Sequence, residues 1–107
     1  IHHELASYMS YNRAKGSLGY WATPSGSEID LLWWYGQKFV AIEVKATSRI
    51  RPEYLKGMQS FREGSPDVST WIVYLGDREL KIDSTRVLPV RSFLKELYAG
   101  KVIPLDL

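Results

Sequence analysis

Two apolar segments joined by a tight turn constrain the fold of this chain more than any other feature. Ile29 to Tyr35 and Phe39 to Ala46 carry mostly apolar side chains, and Gly36-Gln37 stands between them. Segments of this kind that meet at a two-residue turn containing Gly predict an antiparallel β-hairpin. Because the second segment is apolar on both faces, we expect it to be a buried central strand of a sheet.

Charged residues interrupt this apolar hairpin on one face. A turn at Gly36-Gln37 places Asp30 opposite Glu43 and Glu28 opposite Lys45, and strand alternation puts all four side chains on one face. Like charges directly opposite each other destabilise a sheet, so an offsetting partner is expected, and a divalent metal ion is the simplest. The alternative is a set of solvated charges on an exposed hairpin, with Glu28 and Lys45 as an ordinary ion pair.

Length and composition limit the class of protein. At 107 residues, of which 45% are hydrophobic, the chain predicts one domain with a substantial core. The absence of cysteine excludes disulfides and thiolate metal sites and fits a cytoplasmic protein. No apolar run is long enough to span a membrane. The net charge of +2 gives weak long-range attraction for nucleic acid, so such binding must rest on local basic patches.

Further helices and strands are predicted around the hairpin. The expected helices are 2–13, 52–64 and 90–99, and the further expected strands are 18–22, 69–75, 79–82 and 86–90. Helices and strands mixed in one small chain predict an α/β sheet flanked by helices. The connection from Lys45 to Ser69 is long enough, with its helix, to make those two strands parallel.

The charged face of the hairpin carries groups suited to phosphodiester hydrolysis. Such a reaction needs an activated water and a neutralised phosphate, which metal ions held by carboxylates provide. Asp30 and Glu43 are candidate ligands of Mg²⁺ or Mn²⁺, the carbonyl of Val44 could add a ligand, and Lys45 is the candidate catalytic cation. Glu4, the only carboxylate of the first predicted helix, is either a further metal ligand or a residue of the helix surface.

The order Glu4, Asp30, Glu43-Val44-Lys45 resembles the PD-(D/E)XK nuclease superfamily. That resemblance implies a restriction-endonuclease-like core in the order helix, three strands, helix, strand. It also implies metal-dependent cleavage of DNA by Asp30, Glu43 and Lys45. The sequence departs from the superfamily pattern in one respect, because Glu-Ile rather than Pro precedes Asp30.

A second resemblance covers almost the whole chain. It is a resemblance to a domain of unknown function at the C-terminus of a family of prokaryotic AAA-type ATPases. The motifs that carry it are Gly26 to Asp30, Ile42 to Lys45, Tyr54 to Gly57 and Val87 to Leu94. The resemblance implies that residues 1–107 are one nuclease-like domain, the C-terminal fragment of a longer ATPase chain. Its partners would be DNA and the ATPase module of that chain.

Three functions are open at this point. The chain has no Gly-rich phosphate loop of the Walker type, so the ATPase module itself is absent. The domain is expected to be a metal-dependent nuclease, a catalytically degenerate nuclease fold that serves as a binding or regulatory module of the ATPase, or a plain structural accessory domain. The intact Asp30, Glu43 and Lys45 favour the nuclease over the accessory domain, because a domain without chemistry has no need of opposed carboxylates.

Three basic residues come after the hairpin in the sequence. Arg49, Arg51 and Lys56 stand just after the Glu-Val-Lys strand and could contact the phosphates of a nucleic acid. An ordinary solvated loop is the alternative interpretation. His2 and His3 have no third metal ligand near them in sequence and are expected to be solvated.

Overall fold

The computed structural model describes residues 1–22, 28–64 and 67–105, and for Glu28 it describes the backbone only. The sequence Thr-Pro-Ser-Gly at 23–26 predicts a turn, which lies outside these residues. The elements in chain order are α1 (His2–Asn12), β1 (Ser17–Ala22), β2 (Glu28–Tyr35), β3 (Lys38–Lys45), a 3₁₀ turn (Pro52–Leu55), α2 (Lys56–Gly64), β4 (Val68–Tyr74), β5 (Leu80–Ile82), β6 (Thr85–Pro89) and α3 (Val90–Tyr98).

One mixed sheet organises the described part of the chain. Its strands lie in the order β1-β2-β3-β4-β6-β5. β3 and β4 are parallel, as are β4 and β6, and the other neighbours are antiparallel. The predicted α/β sheet flanked by helices is confirmed, and so is the parallel pairing of the strands on either side of α2.

The central hairpin has the predicted register. β2 and β3 pair from Tyr35 with Lys38 to Leu31 with Ile42. Gly36 has φ of 62° in the connecting turn, a left-handed conformation that glycine adopts without steric cost. In the described residues, this ladder ends at Leu31 and Ile42, so the expected backbone pairs of Asp30 with Glu43 and of Glu28 with Lys45 do not belong to it.

A β-bulge in β2 explains why the regular ladder ends there. Gly19 of β1 pairs with Leu32, whereas Trp21 pairs with Ile29, so β2 contains one residue more than β1 over this interval. The extra residue reverses the alternation of side chains. Ile29 consequently packs in the same hydrophobic cluster as Leu32, although the regular period of a strand would put the two on opposite faces.

Helices cover the two faces of the sheet. Alternate residues of β3 enter different clusters, with Val40 and Ile42 in one and Ala41 in the other. The first cluster contains buried residues of α1 and α3, and the second contains Leu55 of the 3₁₀ turn together with Met58 and Phe61 of α2. We call these the α1/α3 face and the α2 face. Glu43 and Lys45 alternate with Ala41 and therefore belong to the α2 face.

Candidate active site

Asp30 lies in the bulged part of β2, where the strand begins. Its side chain is exposed, and its Oδ2 accepts a hydrogen bond from the backbone N–H of Val44 at 2.9 Å. This side-chain bond joins the start of β2 to the end of β3 beyond the last backbone pair. A β-bulge redirects side chains in this way, and bulges are frequent beside active sites.

Glu43 is the buried member of the carboxylate pair. Its side chain is only 5% exposed, on the central strand β3. Burial raises the pKa of Glu43 from 4.5 to about 8, and a side-chain hydrogen bond with Asp30 and the charge of Asp30 act in the same direction. The charge of Lys45 opposes the shift in pKa but does not cancel it. At neutral pH Glu43 therefore keeps its proton.

Lys45 ends β3 two residues beyond Glu43, on the same face of the strand. It is half-buried, and its Nζ lies 4.9 Å from the centre of the Tyr54 ring in the 3₁₀ turn. On the neighbouring strand β4, its backbone partner is Tyr74. The structure thus brings Asp30, Glu43 and Lys45 together at one end of the central strands, as the sequence predicts.

The donor set of this site fits a hard divalent cation. Carboxylate oxygens suit Mg²⁺ and Mn²⁺, and Mg²⁺ usually keeps several waters and takes only one or two protein carboxylates. Within the described residues, no group of three or more His, Asp or Glu side chains could hold a metal ion. Water and substrate oxygens would therefore complete the coordination shell around Asp30 and Glu43. Coordination by the carbonyl of Val44 stays a prediction.

The structure does not bring Glu4 into this group. Glu4 lies in the first turn of α1, and its Oε1 is 3.0 Å from the nitrogen of Ile1. The buried residues of α1, Leu5 and Tyr8, pack on the α1/α3 face, whereas Glu43 and Lys45 belong to the α2 face. A metal-binding role for Glu4 stays a prediction that the geometry of α1 does not support.

The predicted phosphate-binding residues are available to solvent. Arg49, Arg51 and Lys56 are all exposed, between the end of β3 and the start of α2. The guanidinium of Arg51 lies 3.9 Å from the carboxylate of Glu53, which is also exposed. A surface pair of this kind contributes little to stability and leaves the cation free to meet another anion. Phosphate binding by these three residues stays a prediction.

The comparison with known families agrees with part of the sequence analysis. The sequence profile of a family described as "Domain of unknown function (DUF4143)" matches residues 1–93. The chain belongs to this family. No functionally curated protein gives a significant match to the chain. The match agrees with the expected domain of unknown function, whereas the PD-(D/E)XK resemblance rests on the residues of the sequence alone.

Two features of this DUF4143 domain's site were not predicted. The first is the bond from the Val44 N–H to Asp30, which depends on a bulge that strand periodicity does not indicate. The second is the contact of Tyr54 with Lys45, because the sequence places Tyr54 only within the second predicted helix, 52–64.

The helices of the described residues were compared with the length and hydropathy of a membrane-spanning helix. None of their helices combines the length and the apolar character needed to cross a bilayer.

Proposed function

We propose that this DUF4143 domain is a metal-dependent nuclease domain that hydrolyses phosphodiester bonds of DNA. The observation that carries the proposal is the buried carboxyl of Glu43, held against Asp30 on the face that also presents Lys45. A pair of carboxylates that costs stability in the absence of a ligand, in a site with a lysine beside it, suits metal binding and phosphate chemistry.

Asp30 and Glu43 would hold the metal ion. When bound, Mg²⁺ or Mn²⁺ lowers the pKa of a coordinated water and neutralises charge on the phosphate. Glu43 must lose its proton to become a ligand, so binding at neutral pH releases that proton. Asp30 keeps its orientation through the Val44 N–H, and its hydrogen bond with the protonated Glu43 would be given up when Glu43 ionises and both carboxylates turn to the metal ion.

Lys45 would act on the substrate rather than on the metal ion. Its ammonium belongs to the same face as Glu43 and is half-buried, so part of it remains open to an approaching phosphate. A fixed positive charge in a partly desolvated site stabilises the negative charge that develops on the phosphoryl oxygens. The exposed residues Arg49, Arg51 and Lys56 would bind the flanking backbone of the DNA by charge.

The test is cleavage of DNA by the Lys45→Ala variant. We expect Mn²⁺-dependent cleavage by the wild type, and a loss of about a hundredfold or more in Lys45→Ala, as is typical when one charge-stabilising donor is removed. Mn²⁺ binding should remain. Lys81→Ala is the matched control, because Lys81 is an exposed lysine of β5 outside the site, and it should cleave like the wild type. Equal cleavage by Lys45→Ala and the wild type would contradict the proposal.

A second function is a degenerate nuclease fold that serves as a binding or regulatory module of an AAA-type ATPase. The observation in its favour is that only two carboxylates meet in the described site, and one of them keeps its proton at neutral pH. Cleavage assays on a longer chain that includes the ATPase module would separate the two functions. Absence of cleavage of duplex, single-stranded and branched DNA with Mg²⁺ or Mn²⁺ would favour the module.

A further inference from the structure

The aromatic ring of Tyr54 lies beside the ammonium of Lys45. The Nζ atom is 4.9 Å from the centre of the ring, within the range of a cation–π interaction. Both side chains are half-buried, so water screens the interaction less than it would at an exposed site.

The backbone around Tyr54 fixes the position of this ring. Tyr54 belongs to a 3₁₀ turn that begins at Pro52, and its N–H donates to the carbonyl of Arg51 at 3.0 Å. The next residue, Leu55, is 6% exposed and packs in the hydrophobic cluster of the α2 face. A ring held by such a turn is a more rigid support than the flexible lysine that it contacts.

We infer that Tyr54 is a positioning residue for Lys45, an inference that rests on the proposed nuclease function. The four-carbon stem of a lysine gives its ammonium many rotamers, most of which point away from a given phosphate. The face of the ring attracts the ammonium and restricts it to the side of the sheet that carries Asp30 and Glu43. Tyr54 would orient Lys45 and would take no part in holding the metal ion or in the reaction itself.

The chain contains a matched pair outside the site. Lys15 Nζ lies 5.9 Å from the ring centre of Tyr35, at the turn end of the central hairpin. Tyr35 is 43% exposed and lies farther from its lysine than Tyr54 does, so its replacement removes a surface tyrosine–lysine contact at the opposite end of β3 from Lys45. Tyr35→Leu is therefore the control for Tyr54→Leu.

The experiment combines kinetics with NMR spectroscopy of Lys45. With Mn²⁺ and duplex DNA, we expect Tyr54→Leu to lower kcat by about tenfold, in line with a half-buried cation–π contact, and to leave KM within about twofold. Tyr54→Phe keeps the ring and should retain most of the activity. In the wild type, the ring current of Tyr54 should shift the ε-methylene protons of Lys45 upfield. That shift should persist in Tyr54→Phe and Tyr35→Leu and disappear in Tyr54→Leu.

The two measurements separate the failure of this inference from that of the proposed function. Lys45 protons at ordinary shifts in the wild type would overturn the inference, whatever the activity. An unchanged kcat in Tyr54→Leu would also overturn it. A wild type that shows the shift but cleaves no DNA would support the placement of Lys45 by Tyr54 and would overturn the proposed nuclease function.

Discussion

At the scale of single residues, Glu43 couples the stability of the domain to pH. Its pKa is raised from 4.5 to about 8 in the folded protein, chiefly by burial. The folded state therefore keeps a proton that the unfolded state loses as pH rises above about 4.5. The contribution of the protonated carboxyl to stability is complete below the unfolded pKa and is lost as pH rises toward 8.

We predict a pH dependence of stability that Glu43→Gln removes. Between pH 5 and 8, this one group should lower the free energy of unfolding of the wild type by roughly 1 kcal/mol per pH unit. Gln resembles the protonated carboxyl and does not titrate, so the Glu43→Gln curve should be flatter by that amount. Urea unfolding at several pH values measures both slopes.

Glu63→Gln is the control for this comparison, because Glu63 is an exposed carboxylate of α2. The free energy of unfolding of Glu63→Gln should depend on pH with the same slope as that of the wild type. If the free energies of unfolding of the wild type and Glu43→Gln change with pH in parallel, the carboxyl of Glu43 is not desolvated in the folded protein.

At the scale of elements, the central hairpin depends on the conformation of one glycine. Gly36 has φ of 62°, and a Cβ added there would meet no atom within 4 Å. The cost of a side chain at this position is therefore conformational rather than steric against neighbours. The left-handed region costs an L-residue about 1–2 kcal/mol.

We predict that Gly36→Ala lowers the free energy of unfolding by about 1 kcal/mol or more. Gly36→Asn should lower it less, because Asn tolerates the left-handed region better than Ala does. Gly64→Ala is the control, since Gly64 ends α2 with equally open space around it and no positive φ. Chemical denaturation of the three variants measures the differences, and equal stabilities of Gly36→Ala and Gly64→Ala would contradict the prediction.

The elements also show what the sequence could and could not predict. The hairpin register followed from the apolar runs and the turn at Gly36-Gln37, because strand period and turn length together determine pairing. The bulge at Asp30 could not be predicted from the hairpin sequence, because it depends on how many residues of β1 pair with this part of β2. The second predicted helix begins at Pro52 as expected, but its first turn is 3₁₀, and this turn places Tyr54 beside Lys45.

At the scale of the whole molecule, the sheet separates two sets of helices. α1 and α3 cover one face, and the 3₁₀ turn and α2 cover the face that includes Glu43 and Lys45. The sequence predicted the helices but not which face of the sheet each helix covers, because periodicity carries no information on the side of the sheet. For this reason Glu4 could be proposed as a ligand from its position in the chain, whereas α1 packs on the opposite face.

The proposed function depends on Asp30 and Glu43 binding a divalent metal ion together. Isothermal titration calorimetry with Mn²⁺ at pH 7, in two buffers of different ionisation enthalpy, tests it most directly. We predict that the wild type binds Mn²⁺ and releases about one proton, because Glu43 is protonated before binding and ionised afterwards. Asp30→Asn should abolish binding, and the exposed Asp77→Asn should leave it unchanged. No binding by the wild type, binding without proton release, or undiminished binding by Asp30→Asn would contradict metal binding by Asp30 together with an initially protonated Glu43.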